Sequence, residues 1–390
     1  MVKIDSVPSF ENSELSSNNV IEKDVQALLK PFNVIFALFI SSKYKIQNDV
    51  IYQNTLLYKI LSGISYTVLI AGYFYSIFRT AFIYKWEGIN FTKQWCNVFI
   101  YAIYFMCCVI NYHTNIVCSK INVILVFKIQ NICEILKVKG ISLNDFIKFN
   151  WVYFTILNVY HVFWIVFFTI TFSDTYEYYE FLTNYVYILF DMSVLHGTRF
   201  LKVLRQPLKL WIREMRNSDN VLDEDNEYFW NNMFRIYEEI LDTYQILTKT
   251  IQPVILYYTV KTFGNVVISI ALRTEIGKSS NVNMGSFILL TLLSLIWVIK
   301  NMLIITTLVS ECERFYAAMT DVSMVCLQQT SSKTSSDTQK LICKNIQRLQ
   351  TTTFKKMNAC GLFIIDSKFP LTLCGLITSY TIVTLQFEFL

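Results

Sequence analysis

The chain has 390 residues, 54% of them hydrophobic, and a mean hydropathy of +0.40. That is too apolar for a soluble protein of this size, and repeated runs of about 20 apolar residues mark a polytopic membrane protein. The net charge of +5 excludes little alone, because in a membrane protein the position of the basic residues carries the information.

The first 30 residues mix charges (Asp5, Glu11, Glu14, Lys23, Asp24) and hold no basic stretch followed by an apolar core. The first span is therefore expected to act as its own insertion signal. Residues 31–40, PFNVIFALFI, are apolar but too short to cross, which predicts an interfacial or cytosolic-face helix. Spans follow at 56–78, 96–118, 151–172, 182–204, 252–272 and 285–309, and a last one lies within 360–390. With Gly at only 10 positions against 31 Phe and 24 Tyr, these helices are expected to pack through large side chains rather than small ones.

Seven spans put the two termini on opposite faces. The segments 1–55, 119–150, 201–251 and 310–358 hold 24 Lys and Arg, and the alternate loops 79–95, 173–181 and 273–284 hold 5. Basic residues favour the cytosolic side, so the N-terminus is expected inside and the C-terminus outside. The expected fold is an all-α membrane protein of seven transmembrane helices with cytosolic helix extensions. Its parts are a cytosolic tail (1–55), a six-span ligand-binding bundle (56–309), cytosolic anchor helices (310–359) and a seventh, pore-lining span (360–390).

The cytosolic segments carry helical patterns of their own. Met233, Tyr237, Ile240, Tyr244, Leu247 and Ile251 recur at 3–4 spacing, one face of a helix running into the fifth span. The sixth span continues through ECERFYAAMTDVSMVCL to a Ser-rich break at 331–337, and KLICKNIQRLQTTTF resumes the pattern. Such apolar faces need a partner, so a packed cytosolic layer is expected.

Ten cysteines offer no CxxC pair and no zinc spacing, and HExxH, GxSxG and Walker A motifs are missing. No metal, cofactor, enzymatic activity or nucleic-acid partner is expected. One glycosylation sequon, Asn90-Phe91-Thr92, falls in a loop placed outside.

Ionisable residues inside spans are costly and by default mark a pathway or pocket. Counted at ~1.5 Å per residue from the outer face, Asp191 lies roughly 14 Å deep and Lys261 about 16 Å deep, with His161 at a similar level. An Asp191–Lys261 ion pair is predicted, either as a packing device or as the floor of an outward-facing pocket. Tyr104, Trp164, Phe168, Tyr187, Phe263 and Trp297 are candidates for the walls of such a pocket. Lys300 and Arg199 are read as structural residues that reach the inner face.

In the last span, Pro370 suits a first helical turn. Projected at 100° per residue, Lys368, Thr372, Gly375, Ser379, Ile382 and Gln386 fall within an arc of about 80°. A narrow polar stripe on one helix cannot enclose a pore, but several copies around an axis can. On that view Gln386 faces the axis near the outer mouth and Ile382 is a hydrophobic gate. The other reading has Ser379 and Gln386 bonded to helices of the same subunit.

The segment GLFIIDSKFPLTLCGLITSYTIVTLQF (361–387) resembles the C-terminal signature of insect gustatory receptors. Tyr380, Gln386 and Phe387 match its Tyr…Gln-Phe, Ser379 stands where Thr is usual, and Phe363, Asp366 and Gly375 fit the upstream pattern. Thr381 occupies the position where sugar-type members carry an acid, so a bitter-like or orphan type is expected. The resemblance implies a ligand-gated, non-selective cation channel in the plasma membrane of chemosensory neurons. Four identical or sister subunits would line a central pore with their seventh helices, and a small-molecule tastant would bind in the outward-facing pocket. Odorant-receptor-type subunits share the architecture but usually lack this motif. A receptor acting through G proteins predicts an external N-terminus, which the charge asymmetry opposes.

Overall fold

A computed structural model describes residues 20–83, 89–138, 140, 142–171, 185–217, 226–277, 284–333 and 335–389. These hold ten α-helices and one small hairpin. In chain order they are α1 (Lys23–Leu38), β1 (Lys45–Gln47), β2 (Val50–Tyr52), α2 (Leu56–Ile83), α3 (Ile89–Asn111), α4 (Ser119–Val138), α5 (Asn144–Thr171), α6 (Ile188–Arg216), α7 (Asn226–Gly277), α8 (Met284–Ser331), α9 (Asp337–Thr353) and α10 (Phe369–Phe389).

Six of these helices contain stretches long and apolar enough to cross a membrane: Leu56–Tyr75, Val98–Val117, Asn144–Phe167, Glu227–Ala271, Thr291–Ser331 and Phe369–Gln386. The span expected at 182–204 falls mainly on α6 and is not among them. Helix α6 carries Asp191, Arg199, Lys202 and Arg205, and it packs against α1, α4, α5, α7 and α8. A helix enclosed by protein can carry polar groups where each finds a partner. Arg199, expected to escape to the inner face, is instead buried. Its Nε donates to Asn150 Oδ1 at 2.7 Å, and its guanidinium lies 5.7 Å from the centre of the Phe146 ring. Asn150 in turn donates to Leu28 O of α1 at 2.9 Å. Arg205 pairs with Glu311 of α8 at 3.1 Å, both of them buried.

The periodic face Met233–Ile251 is buried at every predicted position and lies on one continuous helix, α7. Helix α8 likewise runs unbroken to Ser331, and α9 starts at Asp337 with the Ser336 hydroxyl accepting from Gln339 N at 3.2 Å. At the end of the bundle where these extensions meet, Trp211 Nε1 of α6 donates to Met233 O at 2.8 Å. Tyr244 stacks on Phe315 with ring centres 4.7 Å apart. Each large apolar side chain buried from water here contributes roughly 1.5–3 kcal/mol.

Three elements differ from expectation. The 119–150 segment, expected as a cytosolic loop between the second and third spans, is largely helical: α3 continues through a π-helical turn, Tyr112–Val117, into α4, and α5 begins at Asn144. The hairpin β1–β2 turns on Asn48 and Asp49, with φ of +52° and +61°. Two consecutive left-handed residues suit the right-handed twist of a two-residue hairpin, and Asn and Asp tolerate that conformation. The sequon residue Asn90 sits in the first turn of α3 rather than in a loop.

Large side chains dominate the packing, as the scarcity of Gly implies, but Gly197 is an exception. A Cβ there would stand 1.7 Å from Ile251 Cδ1 and 2.9 Å from its Cγ1. Helices α6 and α7 approach as closely as they do because position 197 has no side chain.

Candidate functional site

Asp191 lies in the first turn of α6, where the positive end of the helix favours a carboxylate. It is 0% exposed. Three helices supply its partners. Lys300 Nζ of α8 donates to Oδ2 at 2.5 Å, and His161 of α5 lies with Nε2 2.9 Å from the same oxygen. An ionised carboxylate only accepts, so His161 carries its proton on Nε2. The Tyr258 hydroxyl of α7 stands 3.0 Å from Oδ1 and 2.7 Å from Asn301 Oδ1, and its single proton serves one of them at a time. Asn301 is oriented by its own donation to Trp297 O at 2.8 Å.

The ion pair is therefore Asp191–Lys300, not Asp191–Lys261. Lys300 does not reach past its helix to the inner face, because a carboxylate is available to it inside the bundle. Lys261 is 1% exposed, and its ammonium makes no hydrogen bond. It sits among ring faces instead, 4.5 Å from the centre of Tyr187, 5.3 Å from Tyr258, and 5.9 Å from both Phe190 and Trp297.

Most of the aromatic residues expected around Asp191 form one connected belt with it. Tyr104 packs on Tyr187 at 4.4 Å, and Tyr187 covers Lys261. Trp297 lies 5.9 Å from Lys300, which also faces the Tyr160 ring at 5.4 Å. Tyr160 stacks on Trp164 at 6.0 Å. Phe263 is not placed in this belt: its ring meets that of Tyr380 on α10 edge-on at 5.2 Å. The side chain of Phe168 lies outside the described residues, as does that of Phe387. Sequence reasoning missed Tyr258, Tyr160 and Asn301 and discounted Lys300. The available signal was spacing: Lys300 and Asn301 each follow Trp297 by one turn, and Lys261 follows Tyr258 by one turn, inside otherwise apolar stretches.

The second site is α10. Phe369 and Leu373 are buried against the bundle and Ile377 is half-buried, which fixes the inward face against α7 and α8. Lys368, Thr372, Gly375, Ser379, Ile382 and Gln386 are all exposed on another face, and a Cβ at Gly375 would meet nothing within 4 Å. Ser379 and Gln386 make no hydrogen bond to another helix among the described residues. Thr378, Thr381 and Thr384 donate to the carbonyls of Cys374, Ile377 and Tyr380, each four residues back, at 2.7–2.9 Å. Their hydroxyls are thus satisfied off the stripe.

The start of α10 is firmly held. Asp366 Oδ1 accepts from Lys368 N at 3.0 Å and Phe369 N at 3.1 Å, capping the helix. Phe363 stacks on Phe369 with ring centres 4.7 Å apart. Tyr316 of α8 donates to Ile365 O at 3.1 Å and accepts from Met357 N at 2.9 Å, and Glu313 accepts from Ser367 N at 2.9 Å. The Phe-x-x-Asp element thus has a mechanical role: its Phe docks on the helix start and its Asp caps it. Asp366→Ala is expected to lower stability by about 1 kcal/mol, whereas Asp366→Asn, which keeps the acceptor, retains most of it. Thermal unfolding of the purified variants checks this, and equal losses in both would remove the capping role.

The helices and the enclosed charged node define a multi-pass membrane protein with a polar site walled by aromatic rings. The family model described as 7tm Chemosensory receptor matches residues 31–390. The chain belongs to that family, which is a receptor family and not an enzymatic one. No curated protein matches the chain at a significant level.

Proposed function

We propose that this chemoreceptor is a subunit of a ligand-gated, non-selective cation channel of the gustatory type, assembled as a tetramer in the plasma membrane of chemosensory neurons. In this reading the termini lie on opposite faces, N-terminus inside. A small-molecule tastant binds at the aromatic belt around Asp191 and Lys261. The α10 helices of four identical or sister subunits surround the pore.

One observation carries the reading: most of α10 beyond Leu373, its polar stripe included, stands clear of its own subunit. Within one subunit such a stripe would be set against lipid, where unpartnered amide and hydroxyl groups are costly. Several stripes around an axis share water and ions instead. Thr372, Gly375, Ser379 and Gln386 then line the pore and Ile382 narrows it. Ser379, Tyr380, Gln386 and Phe387 carry the family motif, with Tyr380 turned back onto Phe263.

The test is Gln386→Ala in a voltage-clamped cell, with surface protein measured in parallel. The expected result is normal surface delivery with altered unit conductance or relative cation permeability. Unchanged permeation at normal surface density would take Gln386 off the pore wall.

A further inference from the structure

The charges around Asp191 do not balance. Two ammonium groups, Lys261 and Lys300, share one carboxylate, and both Asp191 oxygens are engaged by Lys300, His161 and Tyr258. The Lys261 ammonium keeps three N–H donors with no acceptor while 1% exposed. Ring faces compensate in part. They supply no lone pair. An ammonium without an acceptor in a low-dielectric interior has lost its hydration with nothing of equal strength in its place. The hydroxyl of Tyr187, whose ring covers the same ammonium, is also buried without a partner.

We propose that Lys261 is the anion-recognising group of the chemosensory site and that its ligand class is small aromatic carboxylic acids. A carboxylate placed at the Lys261 ammonium would neutralise the surplus charge and accept its N–H groups. The Tyr187 hydroxyl, on a ring 4.5 Å from the same ammonium, is a second donor for it. The rings of Tyr104, Tyr187 and Trp297 supply the surface for a flat, apolar body. Lys300 does not compete, because Asp191 already holds it. The proposal rests on the chemosensory reading of this site but not on the channel reading.

The test uses the full-length protein in detergent micelles and follows thermal unfolding with ligand titration. The probes are benzoate, phenylacetate and cinnamate, each beside its primary amide, with sodium chloride at matched ionic strength. At least one acid is expected to bind at least about tenfold tighter than its amide, the ratio one charge-assisted hydrogen bond supports. Lys261→Gln is expected to erase that ratio, and Lys261→Arg to keep part of it. The wild-type acid-to-amide comparison needs no variant to fold. The proposal is overturned if no acid outperforms its amide on the wild type, if the preference survives in Lys261→Gln, or if chloride alone reproduces the effect. Binding that passes this test without any ligand-evoked current would retain the acid site and reject the channel.

Discussion

Asp191→Asn is expected to lower the stability of the purified protein by about 3–5 kcal/mol, the cost of breaking a buried ion pair from one side, and to deplete it from the cell surface. The asparagine can still accept from Tyr258, but Lys300 then joins Lys261 as a second uncompensated cation in the same enclosure. The pairing makes the prediction specific. Adding Lys300→Met to Asp191→Asn removes the stranded charge and is expected to recover a large part of the loss. Adding Lys261→Met is not expected to show the same coupling, since Lys261 is not bonded to Asp191. Thermal unfolding of the single and double variants gives both coupling energies. Additivity of the 191 and 300 changes would sink the assignment of the ion pair.

The second large effect is steric. Gly197→Ala is expected to cost about 1–3 kcal/mol and Gly197→Val more, because overpacking forces a side chain off its rotamer or the helices apart. The obstacle is Ile251, whose Cδ1 would lie 1.7 Å from the new carbon. Ile251→Ala alone leaves a cavity and destabilises as well. Together the two changes fill what each disturbs, so Gly197→Ala with Ile251→Ala should be more stable than the sum of the single losses implies. A double variant no better than that sum would mean α6 and α7 do not meet at this point.

Much of the helical layout was legible because periodicity reports burial directly. Positions 233 to 251 repeat at the helical period, and each apolar member of that face is buried on α7. Helix α6 was harder to read, because hydropathy detects contact with lipid and this helix is surrounded by protein. The partner of Asp191 was misread for a geometric reason. Counting residues along a span gives height but not direction around the bundle, and Lys261 and Lys300 stand on different helices, α7 and α8. Depth favoured Lys261, and direction decided for Lys300. The Asn48-Asp49 turn was present in the sequence as a turn dipeptide between Ile46 and Ile51, but the segment was read only as part of a tail. The first turn of α10 was foreseen from Pro370, but not that Asp366 caps it, because capping depends on the fold of the residues before the helix.

The anchoring of α10 has a mechanical consequence. Asp366, Tyr316 and Glu313 fix its base through hydrogen bonds, and beyond Phe369 the described threonine hydroxyls bond only their own helix. A rod clamped at one end and free of cross-links along its length is a cantilever. Among the described residues, deflecting it breaks no side-chain hydrogen bond to another helix, so van der Waals contact with α7 and α8 is what resists the movement. For a given tilt at the base, displacement grows with distance along the rod. At ~1.5 Å per residue, Gln386 stands roughly 25 Å beyond the clamp, so a tilt of a few degrees there moves it by more than an ångström.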